Sequence, residues 1–178
     1  MVIAYIVELL ASGSLTQALA GLMLLLGGVI FAVCALALSF SDLREHRLPN
    51  RILYPWAGIT LGLLVPTALL LGEPLAALRA IAAALTWSAA FLAVRLISPP
   101  ALGMGDVKLA VVLGLYTGFL GWSTVLAAVL MSFLLGGVVS AALLISRRAT
   151  AKTPVPFGPF LLLGTAIALT VSGGVSLG

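Results

Sequence analysis

Two aspartates occur in this chain, Asp42 and Asp106, and their chemistry is the hardest to explain as packing. Two carboxyl groups brought together share their titration. Lost hydration and mutual repulsion keep one protonated while the other ionises. Such a pair can activate water. The ionised member draws off a proton, and the neutral member polarises a carbonyl, which is the chemistry of aspartic proteolysis. Read singly, each is also explicable as an end-of-helix charge. Ser41-Asp42 follows an apolar run and borders a basic loop, and Asp106 opens an apolar run, where a negative charge suits a helix N-terminus. His46, the lone histidine, sits in a charged loop and reads as solvated. Cys34, the single cysteine, lies in an apolar run and reads as a packed small residue. No metal-ligand spacing, phosphate loop or nucleic-acid module is present, so neither metal nor cofactor nor nucleic-acid partner is expected.

The elements that position the aspartates follow from composition. The chain is 62% hydrophobic and 8% charged, with mean hydropathy +1.28. A water-facing shell needs roughly 25% charged residues, so the solvent is a lipid bilayer. In lipid every backbone polar group needs an internal partner, and unbroken Leu/Ala-rich runs satisfy that as helices rather than as a barrel. The expectation is an all-α polytopic membrane protein, a single membrane-embedded domain over residues 1–178.

Six spans are predicted: Ala18 to Phe40, Ile52 to Gly72, Leu75 to Ile97, Asp106 to Leu120, Trp122 to Ser146, and Phe157 to Val171. Pro55 falls in the first turn of the second span, and Pro66 is a candidate kink. Val107 to Ile145 would be about 58 Å as one helix, too long for a ~30 Å crossing. The break is placed at Gly118-Phe119-Leu120-Gly121-Trp122, where two glycines loosen the helix. Residues 1–11 are too few to span and read as a short interfacial helix, with no removed signal peptide. Arg79 and Arg95 lie near the ends of the third span, where long side chains reach the interface.

Charge then orients the spans. The loops after spans one, three and five carry Arg44, Arg47, Arg51, Arg95, Lys108, Arg147, Arg148 and Lys152. That is eight of the nine basic residues, with Arg79 on the other side. The positive-inside rule places these loops in the cytoplasm and both termini outside. Asp42 and Asp106 then share the cytoplasmic face of the cell (plasma or inner) membrane at similar depth.

Local sequence sharpens the pair. Asp106 follows two glycines in Gly103-Met104-Gly105-Asp106-Val107-Lys108-Leu109, which permits close approach of another chain. Asp42 opens Asp42-Leu43-Arg44-Glu45-His46-Arg47-Leu48-Pro49-Asn50. This resembles the first motif of the type IV prepilin peptidase family, and the Asp106 run resembles its Gly-x-Gly-Asp-x-Lys box. Gly114-Leu115-Tyr116-Thr117-Gly118 and Pro156-Phe157-Gly158-Pro159-Phe160 resemble two later elements, in the same order. The resemblance implies a membrane aspartic endopeptidase that cuts the basic leader from prepilin-like or pseudopilin substrates at the cytoplasmic face. It carries Asp42 and Asp106 over as the catalytic pair. Gly103, Gly105, Lys108, Pro49 and Asn50 carry over as substrate-binding or supporting residues. The two CxxC pairs of many bacterial members are not found, so the short, peptidase-only form is expected, without N-methyltransferase activity.

Two readings from other classes compete. One is a small transporter or channel, whose carboxylates belong near the midplane rather than at one face. The other is a non-catalytic subunit of a secretion membrane complex.

Overall fold

The computed structural model describes residues 2–45, 47–99, 102–146 and 156–172. They form seven helices, with no strand among the described residues: α1 (Val2–Ala11), α2 (Leu15–Glu45), α3 (Asn50–Leu70), α4 (Pro74–Ile97), α5 (Met104–Leu120), α6 (Trp122–Ile145) and α7 (Gly158–Val171). Helices α2, α3, α4 and α6 are long and apolar enough to cross a membrane. Helix α5 has 17 residues and α7 has 14. His46, Arg147, Arg148 and Lys152 lie outside the described residues.

The predicted break is found where two glycines loosen the chain. Gly121 adopts φ 149° between α5 and α6, a conformation L side chains rarely adopt. Two expectations shift. Helix α2 outruns its predicted span at both ends, because hydropathy marks the lipid crossing and not the end of the helix. Asp42 therefore stands in the last turn of a continuous helix. Pro55 lies deeper in α3 than its first turn: Pro49, with ψ 125°, starts the helix at Asn50.

Helix α5 is the axis of the molecule. Thirteen of its 17 residues are buried, whereas α6 buries five of 24. Gly114 and Gly118 make the close approach to α4 possible. A Cβ at Gly114 would stand 2.5 Å from Ala84 Cα, and one at Gly118 would overlap the Ala83 side chain. Small residues at this spacing let membrane helices pack backbone to backbone.

Helix α4 also clamps both ends of α5. Arg79 donates from Nε to the Gly118 carbonyl (2.8 Å) and from Nη2 to the Phe119 carbonyl (2.9 Å). Arg95 donates from Nη1 to the Leu102 carbonyl at 2.8 Å. The carbonyl end of a helix carries partial negative charge, so the Arg79 guanidinium both satisfies and neutralises it. These arginines, read from the sequence as reaching for the interface, also bond to backbone carbonyls at or beside the ends of α5.

Tyr116 joins α5 to two further helices. Its hydroxyl donates to the Gly27 carbonyl of α2 at 2.9 Å. It accepts from Trp56 Nε1 and Thr60 Oγ1 of α3, each at 3.2 Å. One donor and two acceptor sites are thereby all used. Phe31, Trp56 and Tyr116 stack edge-on or tilted around this point. Helices α6 and α7 pair through Gly164, whose missing Cβ leaves room for the Ser132 backbone.

Gly114→Ala is expected to cost about 1–3 kcal/mol, because backbone rather than a flexible side chain must move. Gly62→Ala meets nothing within 4 Å and is expected to leave stability unchanged or slightly raised. Thermal unfolding of the two variants in detergent checks the contrast.

Candidate active site

Asp42 is carried by α2 and Asp106 by the first turn of α5. Both are buried, at 6% and 8% exposure, although they belong to a residue type that seldom is. The two carboxyl groups are close enough for Asp106 to feel the charge of Asp42. The fold thus brings together the two residues singled out by their chemistry.

Each carboxylate accepts a hydrogen bond from a backbone N–H at the start of a helix. Asp106 Oδ2 accepts from Gly103 N–H at 3.2 Å. This is the return half of a capping box, and Gly103 has no side chain to supply the other half. Asp42 Oδ2 accepts from Gly158 N–H at 3.1 Å, across 116 residues of sequence. Gly158 is the first residue of α7. Negative charge is favoured at both places, because helix N-termini present unpaired N–H groups.

Leu48 lies between the two aspartate neighbourhoods. A Cβ at Gly105 would stand 2.9 Å from Leu48 Cβ. A Cβ at Gly158 would stand 3.4 Å from Leu48 Cδ2 and 2.7 Å from Asp42 Oδ2. Both glycines are therefore places where the backbone must come unusually near another group. The connection that delivers Leu48 folds back over α2, with Ser41 Oγ donating to the Arg47 carbonyl at 3.1 Å. Pro49 is the extended residue before α3.

Lys108 and Asn50, each from one of the two aspartate motifs, also meet. Lys108 Nζ donates to Asn50 Oδ1 at 2.9 Å and lies 5.3 Å from the Tyr54 ring centroid. This pair pins the start of α5 to the start of α3.

The predicted residues thus fall into one cluster around Asp42 and Asp106, with the Lys108–Asn50 tie beside it. Sequence reasoning placed Leu48 and Gly158 in motif-like tracts but did not name them as site residues. A glycine between two prolines at the start of an apolar run was the available signal for Gly158, but nothing local named its partner. Two apolar cavities, of about 280 and 520 Å³, include neither aspartate in their walls. No group of three or more His, Cys, Asp or Glu converges among the described residues.

The family model described as the type IV leader peptidase family matches residues 29–141. The chain belongs to that family. It is 33% identical over 150 residues to a prepilin leader peptidase/N-methyltransferase of Aeromonas salmonicida, covering 81% of this chain and 48% of the relative. It is 34% identical over 170 residues to a protein of the same description from Burkholderia pseudomallei, covering 90% and 52%. The chain spans about half the length of these curated relatives. No solved structure matches it significantly.

The Lys108–Asn50 bond is checked by a double-mutant cycle. Lys108→Met and Asn50→Ala, singly and together, are expected to show a coupling of about 0.5–1.5 kcal/mol in detergent unfolding. Simple additivity would remove this tie from the site.

Proposed function

We propose that this chain is a membrane aspartic endopeptidase that removes the basic leader from type IV prepilin-like or pseudopilin substrates. The observation that carries the proposal is that Asp42 and Asp106 are both buried, each held by a backbone N–H, and near enough for Asp106 to feel the charge of Asp42. Family membership and the relatives' description as prepilin leader peptidases support the substrate class. Methyl transfer, which that description also names, is not part of the proposal.

In this reading Asp42 and Asp106 share one proton. The ionised carboxylate takes a proton from a water molecule as its oxygen attacks the scissile carbonyl carbon. The neutral carboxyl donates a hydrogen bond to the carbonyl oxygen and then its proton. The tetrahedral diol collapses as the second carboxylate takes back a hydroxyl proton, the C–N bond breaks, and the proton held by the first carboxylate passes to the leaving amine, which restores the one-proton pair. No other reactant is consumed. Gly103 leaves room for the Asp106 carboxylate beside its backbone, and Gly105 leaves room for Leu48. Lys108, Asn50 and Pro49 fix the two motif-bearing helix starts beside Asp106.

The proposed topology has six crossings, both termini outside and the aspartates at the cytoplasmic face of the cell membrane. Its support is the partition of basic residues across alternate loops. Helices α5 and α7 are short for crossings. Polar groups at their ends are satisfied inside the bundle, the carbonyl end of α5 by Arg79, the Gly103 amide at its start by Asp106, and the first amide of α7 by Asp42.

The test is cleavage of a prepilin-type substrate by the purified chain in detergent, with the product N-terminus sequenced. A single cut just before the hydrophobic helix is expected. Asp42→Asn and Asp106→Asn should each lower the rate by about 10³-fold or more. Full activity in both variants would refute the proposal.

A further inference from the structure

We infer that Gly158 is a positioning residue for the peptidase reaction: its N–H orients the Asp42 carboxylate, and its missing side chain gives that carboxylate room. The inference rests on the peptidase reading for its kinetic consequence, but not for the contact itself.

Asp42 stands three residues before the end of α2. The carbonyl end of its own helix is an unfavourable place for a negative charge. The start of α7 supplies the opposite polarity. In its first turn Phe160 and Leu161 donate to the Phe157 carbonyl. Pro159 has no N–H to give. The Gly158 N–H is therefore the first amide of the helix, and it goes to Asp42 Oδ2. A charge-assisted bond of this kind fixes the carboxylate plane and offsets the carbonyls of α2.

Space makes the same demand for glycine. A Cβ at position 158 would lie 2.7 Å from Asp42 Oδ2 and 3.3 Å from its Cγ. An L residue there must displace the carboxylate itself, because the nearest competing atom is Asp42 Oδ2, the one that accepts the Gly158 N–H.

An aromatic row anchors the donor. Trp87 and Phe91 of α4 meet at 6.1 Å, Phe91 and Phe133 of α6 at 6.2 Å, and Phe133 and Phe157 at 5.2 Å. Phe157, the residue before Gly158, also packs where Gly136 of α6 has no side chain; a Cβ there would stand 2.9 Å from its ring. The position of the Gly158 amide is thus set by α4 and α6, independently of Asp42. Asp106 differs in this respect, since its donor Gly103 belongs to its own helix turn.

Two measurements on the full chain decide the matter. In cleavage kinetics, Gly158→Ala should lower kcat by about 100-fold, as misplacement of a reacting group does, with KM changed less than about twofold. Gly62→Ala, a helical glycine in open space, serves as the control and should retain activity. Wild-type kcat in Gly158→Ala would overturn the inference, and so would a rise in KM alone. The second measurement needs no activity. With glycine-selective ¹⁵N labelling in detergent micelles, the Gly158 amide proton should resonate downfield and move upfield in Asp42→Ala. An amide signal indifferent to Asp42 would overturn the inference even if Gly158→Ala failed to fold. If the unaltered chain left prepilin uncut, the peptidase reading would fall, while the amide shift would still decide the contact.

Discussion

A carboxylate among apolar helices must have a hydrogen-bond donor, and this molecule meets that need twice with backbone amides. Asp106 uses the amide of Gly103, which opens its own helix. Asp42 uses the amide of Gly158, which opens a helix from the far end of the sequence. Much of the remaining architecture serves to hold those two amides still. Arg79 and Arg95 grip the ends of α5, so the first turn that carries Asp106 cannot slide. The row from Trp87 to Phe157 fixes the entry to α7. Tyr116 locks α2, which carries Asp42, to α3 and α5 through a hydroxyl with every bonding position filled.

Small residues explain how the pair comes close in a bundle driven by packing rather than by water exclusion. Gly114 and Gly118 bring α5 against α4, and Gly164 brings α7 against α6. Gly105 and Gly158 do something different. They face Leu48 and Asp42 across gaps that no Cβ would fit. The first set builds the scaffold, and the second lets Leu48 and the Asp42 carboxylate pack directly against backbone.

Much of this was legible in the sequence, and the reasons differ by feature. The helices follow from hydropathy, and the break at Gly121 follows from arithmetic on membrane thickness. The aspartates stood out because an ionisable group is expensive in an apolar chain. The partners of Arg79 and Arg95 were not legible. A long side chain near a helix end is compatible with solvent, lipid or another helix, and the choice depends on which backbone carbonyls tertiary packing brings near. The tract around Gly158 stood out, but its contact was illegible for the same reason: it is a backbone contact across 116 residues, and a backbone amide leaves no mark on residue type. Only the requirement for a missing side chain does, and glycine has many other uses. Pro55 was misplaced by one turn because the second span was started at Ile52, which left out Asn50 and Arg51, the first two residues of α3.

The central claim is that Asp42 and Asp106 act as one unit, and the kinetics of combined substitution test it most directly. Residual cleavage of a prepilin-type substrate would be measured at large enzyme excess for Asp42→Asn, Asp106→Asn and the double variant. Two residues that share one proton and one water lose the same function whichever is removed, so the double variant should cleave no more slowly than the weaker single variant. Losses that multiply in the double variant would contradict the account, since they would mean that each aspartate contributes independently of the other.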